Sequence, residues 1–153
     1  MSPVERLAAL GLTLPPVTAP VAAYVPAVRA GGFVYVSGQV PMADGKLSAT
    51  GKVGGEVSAA DAAGLARTCA LNALAAAASA VGGLDKIRRI VKVTGFVASA
   101  PGFNGQPQVV NGASELFIEV FGEEGKHARS AVGVAELPLN APVEVELIAE
   151  IRD

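Results

Sequence analysis

The chain has 153 residues, of which 51% are hydrophobic and 5% aromatic, so it can form one domain with a core of small apolar side chains. Its formal net charge is −2, and the one basic cluster comprises Lys86, Arg88, Arg89 and Lys92. A nucleic-acid-binding protein needs a concentrated basic face, so this balance argues against that class. We interpret the cluster as a solvated helix end and strand start.

The chain has one cysteine, Cys69, and one histidine, His127. A single cysteine cannot form an internal disulfide, which fits a reducing compartment, and the two residues are too few for a standard zinc site. No secretory leader pattern is present, and the apolar run 70–81 is too short to span a bilayer. We therefore expect a cytoplasmic protein without metal or cofactor, with Cys69 in the core and His127 at the surface.

The first elements are marked by helix-capping and hairpin signals. A capping serine, a first-turn proline and a capping-box glutamate predict a helix from Ser2 to about Gly11. The proline-rich segment Leu14–Pro20 is expected to be extended, and we treat residues 1–20 as an extension of a single domain spanning 1–153. Two strands, 25–29 and 33–37, flank two glycines and predict a hairpin.

The middle of the chain predicts a helix–strand–helix order. Residues 41–55 are expected to form a loop with a turn at Asp44–Gly45. Ser58 caps a long helix that stops at Gly82–Gly83, and a strand over 87–97 follows. A second helix over 109–121 and two final strands complete the order ββ-α-β-α-ββ. This order predicts an α+β fold with two helices on one face of a mixed sheet.

The segment 129–149 predicts two strands joined by a proline-containing turn, which we interpret as a hairpin. The alternation of apolar side chains predicts that Val132 and Val143 face the helices. Arg129 and Glu144 would then share the opposite face, separated by a hollow over the small residues Ala131 and Gly133. A cation and a carboxylate in one pocket could bind a small acid and transfer protons on it. The exposed face also favours cover by another subunit.

Several segments, taken together, resemble the RidA (YjgF) family of enamine/imine deaminases, also described as L-PSP endoribonucleases. The resemblance covers about Tyr24 to Glu150. The matching segments are Ser37-Gly38-Gln39-Val40-Pro41, Val91-Lys92-Val93-Thr94 with Phe96-Val97, Asn111, Arg129-Ser130, Leu137-Pro138 and Val143-Glu144-Val145-Glu146. This order of motifs is more specific than any one of them.

The resemblance implies a chorismate-mutase-like fold in a homotrimer, whose sheets form an inner barrel with a site at each subunit interface. It implies hydrolysis of reactive imines or enamines, such as 2-aminoacrylate, to a 2-keto acid and ammonia. The chain also departs from the family pattern in four places. Ala131 stands where the family usually has cysteine, and Ala22-Ala23 stands where Gly-Pro often precedes the tyrosine. The loop before Asn111 is longer, and the N-terminal helix is an extension.

The resemblance implies roles for five residues, each with a plainer alternative. Arg129 would bind the substrate carboxylate, or else form a cross-strand ion pair with a glutamate. Glu144 would orient or activate water, or be an ordinary strand glutamate. Tyr24, Ser37 and Asn111 would bind substrate, or be an edge residue, a turn residue and a helix-start residue, respectively.

Two other functions are compatible with the same residues. One is a non-catalytic trimer that binds or senses a small carboxylate metabolite. The other is a ribonuclease or translation inhibitor, which the acidic balance and the lack of a basic, aromatic surface disfavour. We expect a small carboxylate-bearing substrate at the subunit interface as the partner, with no membrane and no nucleic acid.

Overall fold

The computed structural model describes residues 1–17, 20 and 22–153. Its three α-helices are α1 (Pro3–Ala9), α2 (Ala59–Val81) and α3 (Gln106–Phe121). Its strands are β1 (Ala27–Ala30), β2 (Phe33–Gln39), β3 (Met42–Ala43), β4 (Lys46–Leu47), β5 (Ile87–Ala98), β6 (Ala128–Val134) and β7 (Val143–Ile151). Short 3₁₀ turns precede β5, β6 and β7.

Five strands form one mixed sheet in the order β1-β2-β7-β5-β6. The strands β5 and β6 are parallel, and the other neighbours are antiparallel. The helices α2 and α3 pack together and cover one face of this sheet. The predicted α+β fold, with two helices on one face of a mixed sheet, is confirmed, and α1 packs as a third helix beside α3.

The predicted ends of α1 and α2 agree with the structure, whereas α3 begins at Gln106, three residues before the predicted start at Val109. At the start of α1, the Ser2 hydroxyl accepts from the Glu5 backbone, and the Glu5 carboxylate accepts from the Ser2 backbone. The Ser58 hydroxyl accepts the Asp61 N–H at 3.1 Å, which caps α2. Gly82 ends α2 with φ +92°, a left-handed conformation that glycine adopts without strain.

The core between sheet and helices is made mainly of alanine and β-branched residues. Cys69 and Leu74 of α2 are fully buried, which confirms Cys69 as a core residue. Small side chains let the helices approach closely, and a Cβ on Gly112 of α3 would overlap the Ala63 carbonyl of α2. By length and composition alone, α2 is long and apolar enough to cross a membrane. The shorter apolar run 70–81, which by itself is too short to span a bilayer, is part of this helix. More than half of its apolar stretch is buried, as in a core helix.

The predicted hairpin between the last two strands is wrong, because β5 lies between β6 and β7. The chain leaves β5, forms α3 and returns as β6 parallel to β5. Parallel neighbours require such a helical crossover, and the strand–helix–strand order was already visible in the sequence. The eight residues between β6 and β7 then carry the chain past β5 to its other side.

Two loop predictions are refined by the structure. The turn at Asp44–Gly45 is present, with φ +53° and +79°, but it joins a small ribbon of β3 and β4 inside the segment predicted as loop. The hairpin of β1 and β2 is confirmed. Of the segment predicted to be extended, Leu14–Pro20, residues Thr18 and Ala19 lie outside the described part of the chain.

Candidate functional site

Arg129 lies in β6 and points towards the helix-covered face of the sheet. It is paired with the buried Val93 of β5, so both side chains lie on the same face. Its Nη1 donates to Oδ1 of Asn111 at 2.8 Å and to Oγ of Ser114 at 3.2 Å. Its Nη2 approaches the Pro107 carbonyl oxygen at 3.5 Å. The guanidinium is therefore held against the first turns of α3 by neutral oxygen acceptors.

No carboxylate balances the charge of Arg129 within the described residues. Five ion pairs occur there, and all of them use other cations. The alternative of a cross-strand ion pair with Glu144 or Glu146 is therefore wrong for this chain. Within the same residues Nε also has no hydrogen-bond partner. The Nε and Nη2 donors together suit a planar anion such as a carboxylate.

His127 precedes Arg129 by two residues and is linked to it through the hydroxyl group of Ser114. The prediction of a surface histidine is wrong, because the ring is only partly exposed and has partners on both nitrogens. Nδ1 lies 2.6 Å from the Gly125 carbonyl oxygen, and Nε2 lies 2.9 Å from Oγ of Ser114. Burial lowers the pKa of His127 below its ordinary value; the Gly125 carbonyl opposes this shift and the Arg129 charge adds to it.

Glu144 lies in β7 on the opposite, helix-free face of the sheet. Its neighbours Val143 and Val145 are buried towards the helices, while its own side chain is half-buried against Gly38 of β2. A Cβ on Gly38 would overlap a carboxylate oxygen of Glu144. Burial raises the pKa of Glu144 above its ordinary value, and the charge of Glu146 raises it further. Such a carboxyl group is better suited than a fully exposed one to accept and return a proton.

Ser37 and Tyr24 lie close to Gly38, the residue against which Glu144 packs. The Ser37 hydroxyl donates to the Val25 carbonyl oxygen at 2.7 Å, so it fixes the segment that carries Tyr24. Tyr24 is 58% exposed and lines a groove of ≈ 980 Å³ together with Gly38 and Leu139. The structure thus brings Tyr24, Ser37 and Glu144 to one region around Gly38.

The prediction that Arg129 and Glu144 share one face is wrong. Glu144 is in register with Phe96 of β5, and Phe96 with Val132 of β6, which lies three residues beyond Arg129. Two strand spacings and three residues separate their backbones by roughly 14 Å, and the side chains point to opposite faces. The reversal follows from β6, because its apolar Val132, not Arg129, lies on the helix-free face.

The hollow predicted over Ala131 and Gly133 is also on the other face. Ala131 packs against the core, and a Cβ on Gly133 would meet Gln106 and Ser99 on the helix side. The helix-free face instead carries four large apolar side chains that are 39–52% exposed. They are Val28, Phe33, Tyr35 and Val132. A sheet face with this much exposed apolar surface is typical of a protein–protein interface.

Ser114 is a site residue that the sequence analysis missed. It is buried in α3 and bridges Arg129 and His127. Its spacing of three residues from Asn111 places both on one side of a helix, which is the signal that could have found it.

In the described part of the chain, no group of three or more histidine, cysteine, aspartate or glutamate side chains is placed to hold a metal ion.

The chain is similar to known proteins over nearly its whole length. A family model for the YjgF/chorismate mutase-like endoribonuclease family matches residues 4–151. Protein TCP17 of Trypanosoma cruzi is 44% identical over 149 residues, covering 97% of this chain and 93% of TCP17. A 2-iminobutanoate/2-iminopropanoate deaminase of Dermatophagoides farinae is 34% identical over 134 residues, covering 87% of this chain and 89% of the deaminase. Among solved structures, Atu1372 of Agrobacterium tumefaciens, of unknown function, has a TM-score of 0.89 and 51% identity. The match covers 96% of this chain and 91% of Atu1372.

Proposed function

Because the chain belongs to the YjgF (RidA) family, as its motifs predicted, we propose that it hydrolyses small carboxylate-bearing imines and their enamine tautomers. The products are a 2-keto acid and ammonia. At family level, the deaminase of Dermatophagoides farinae supports this reaction. The observation that carries the proposal is Arg129, a guanidinium held by neutral acceptors without a carboxylate partner in the described residues.

Arg129 binds the substrate carboxylate in this proposal. Two N–H donors of a guanidinium match the two oxygens of a carboxylate and form parallel, charge-assisted hydrogen bonds. Both Nη1 hydrogens are directed at Asn111 and Ser114, and one Nη2 hydrogen at the Pro107 carbonyl oxygen, so the Nε hydrogen and the second Nη2 hydrogen remain for the substrate. A lysine at this position could offer the charge but not the fixed pair of donors. The orientation of the guanidinium then fixes the orientation of the adjacent C=N bond.

The site is completed by a second subunit. Within one chain Arg129 and Glu144 are too far apart, and face in opposite directions, to contact one small substrate. We assign Arg129 and Asn111 to one half of the site, and Glu144, Tyr24 and Ser37 to the other. The exposed apolar residues on the helix-free face support an interface between copies of the chain. In the homotrimer, each site joins the Arg129 half of one subunit to the Glu144 half of its neighbour.

Glu144 performs the proton transfers of the reaction. Its carboxylate takes a proton from water as the water oxygen adds to the carbon of the protonated imine, which forms a neutral carbinolamine. Glu144 returns this proton to the nitrogen and then takes the hydroxyl proton as the C–N bond breaks, so that ammonia leaves and the C=O bond of the 2-keto acid forms. Glu144 finally releases its proton to solvent. The overall reaction consumes one water and needs no redox partner. Partial burial, which raises the pKa of Glu144, makes the protonated form accessible for the second transfer.

A coupled assay for 2-keto acid release from freshly generated 2-aminoacrylate tests this function. The wild-type protein is compared with Arg129→Ala and Glu144→Ala, and the uncatalysed hydrolysis is subtracted. Loss of activity in both variants, with the oligomeric state unchanged, is expected. Activity that is unchanged in Arg129→Ala would refute the proposal. Saturable binding of 2-oxobutanoate by a wild type without turnover would instead identify a binding or sensing protein.

A further inference from the structure

A chain of hydrogen bonds runs from Arg129 into the protein. It passes from Nη1 of Arg129 to Oγ of Ser114 at 3.2 Å, and from Ser114 to Nε2 of His127 at 2.9 Å. It ends at the carbonyl oxygen of Gly125, 2.6 Å from Nδ1 of His127. Phe117 packs edge-on against the imidazole ring, with ring centroids 5.8 Å apart and an interplanar angle of 85°. The ring is thus fixed by packing and by bonds at both nitrogens.

The direction of each hydrogen bond in this chain is determined by chemistry. A carbonyl oxygen can only accept, so Nδ1 of His127 carries the proton that points at Gly125. In the neutral ring, Nε2 is then an acceptor, and the hydroxyl proton of Ser114 must point towards it. This leaves the lone pairs of the Ser114 oxygen to accept from Arg129. The fixed tautomer of His127 therefore determines how Ser114 faces the arginine.

We propose that His127 and Ser114 are positioning residues, which hold the Arg129 guanidinium in the orientation that binds the substrate carboxylate. This inference rests on the proposed function. With Asn111, Ser114 engages both Nη1 hydrogens, which prevents rotation of the guanidinium. A side chain that is ordered before substrate arrives loses less conformational entropy on binding. Neither residue contacts the substrate in this arrangement.

The requirement for an acceptor separates this role from simple packing. His127→Phe keeps an aromatic ring beside Phe117 but removes Nε2. His127→Gln can place an amide oxygen near the position of Nε2, so it retains an acceptor for Ser114. Ser114→Ala breaks the chain at its centre. The control is Lys126→Ala, an exposed neighbour that pairs with Glu123 outside this chain of bonds.

Nuclear magnetic resonance of the full-length, ¹⁵N-labelled protein tests the positioning directly, without ligand. The Nε–H signal of Arg129 is assigned by its absence in Arg129→Lys. We expect an order parameter close to that of rigid backbone, about 0.85, in the wild type, in Lys126→Ala and in His127→Gln. The value should fall in His127→Phe and in Ser114→Ala. An unchanged Arg129 signal in both of these folded variants would overturn the proposal.

Binding of 2-oxobutanoate, measured by titration calorimetry, tests the consequence for the site. His127→Phe and Ser114→Ala should each raise Kd about tenfold, as expected for loss of a hydrogen bond to a charged group. His127→Gln should stay within about threefold of the wild type. A Kd for His127→Gln as high as that for His127→Phe would contradict the acceptor role. If the wild type neither binds 2-oxobutanoate nor deaminates 2-aminoacrylate, the proposed function fails, and the Arg129 signal still decides the positioning role.

Discussion

Arg129 and Glu144 lie on opposite faces of one sheet, separated by the strand β5. Arg129 points towards α3, where Asn111 accepts its Nη1 hydrogen, and Glu144 packs over Gly38 on the helix-free side. A cation and a carboxylate in this relation cannot act on one small molecule within one chain. They can do so if two copies of the chain meet along these surfaces, and assembly then becomes a condition for catalysis.

Gly38 gives Glu144 its position, and Gly38→Ala should displace the carboxylate. A Cβ at this site overlaps the far end of a flexible side chain, which can move at little cost to stability. We expect kcat/KM to fall at least about tenfold, with a melting temperature close to that of the wild type. The matched control is Gly32→Ala, where a Cβ would meet open space and activity should be unchanged. Equal activity of the two variants would contradict the role of Gly38.

We expect Glu146 to influence catalysis through its charge. It lies two residues from Glu144 on the same face, and its charge contributes to the raised pKa of Glu144 after the larger effect of burial. Glu146→Gln should lower the pKa of Glu144, so the acidic limb of the kcat/KM profile should move to lower pH. Glu144→Gln should remove the limb and reduce kcat/KM by about 100-fold or more.

The control for this pH profile is Glu150→Gln. Glu150 lies on the same face, but the raised pKa of Glu144 is due to burial and to the charge of Glu146, not to Glu150. Its substitution should leave the acidic limb in place. A profile that shifts equally in Glu146→Gln and Glu150→Gln would show that general surface charge, rather than the proximity of Glu146, sets the limb.

His127 should report the charge of Arg129. Its pKa is lowered first by burial and also by Arg129, so Arg129→Ala should raise it towards the ordinary value of 6.5. The signals of the single histidine can be followed by nuclear magnetic resonance during a pH titration. In the wild type, the neutral ring should carry its proton on Nδ1. A His127 pKa that stays the same or falls in Arg129→Ala would contradict this interaction.

Two helical glycines should respond to alanine in opposite ways. Gly64 of α2 is exposed with open space around its missing Cβ, so Gly64→Ala should stabilise the protein by about 0.5–1 kcal/mol. Gly112 of α3 meets the Ala63 carbonyl, so Gly112→Ala should destabilise it by about 1–3 kcal/mol. Urea unfolding at one fixed protein concentration measures both. Equal effects of the two substitutions would refute the close approach of α2 and α3.

The local elements of the fold could be predicted because their signals are local. The serine caps of α1 and α2 and the glycines between β1 and β2 appear where the sequence places them. The pairing of β6 could not be predicted from alternation alone. Alternation divides the side chains of a strand into two sets, one for each face of the sheet. It does not say which set faces the helices in an edge strand such as β6, where a valine points away from the helices and an arginine points towards them.

The candidate site could likewise be predicted only in part. The motifs predicted a role for Asn111 with Arg129, and the structure brings these two side chains into contact. They did not predict the contribution of Ser114 and His127, because it depends on α3 crossing beside β6. Because of this long-range packing, a histidine expected at the surface is partly buried and is linked to the arginine through Ser114.

The most direct test of the shared site is to restore activity by mixing two inactive variants. Arg129→Ala and Glu144→Ala are unfolded together in equal amounts, refolded, and assayed for 2-keto acid release from 2-aminoacrylate. Wild type treated in the same way sets full activity, and variants refolded separately before mixing are the control. If each site takes Arg129 and Glu144 independently from two subunits, as proposed, about one quarter of the sites should be intact. Recovery of about one quarter of the activity is expected. Activity no higher than that of the separately refolded variants would contradict a site shared between subunits.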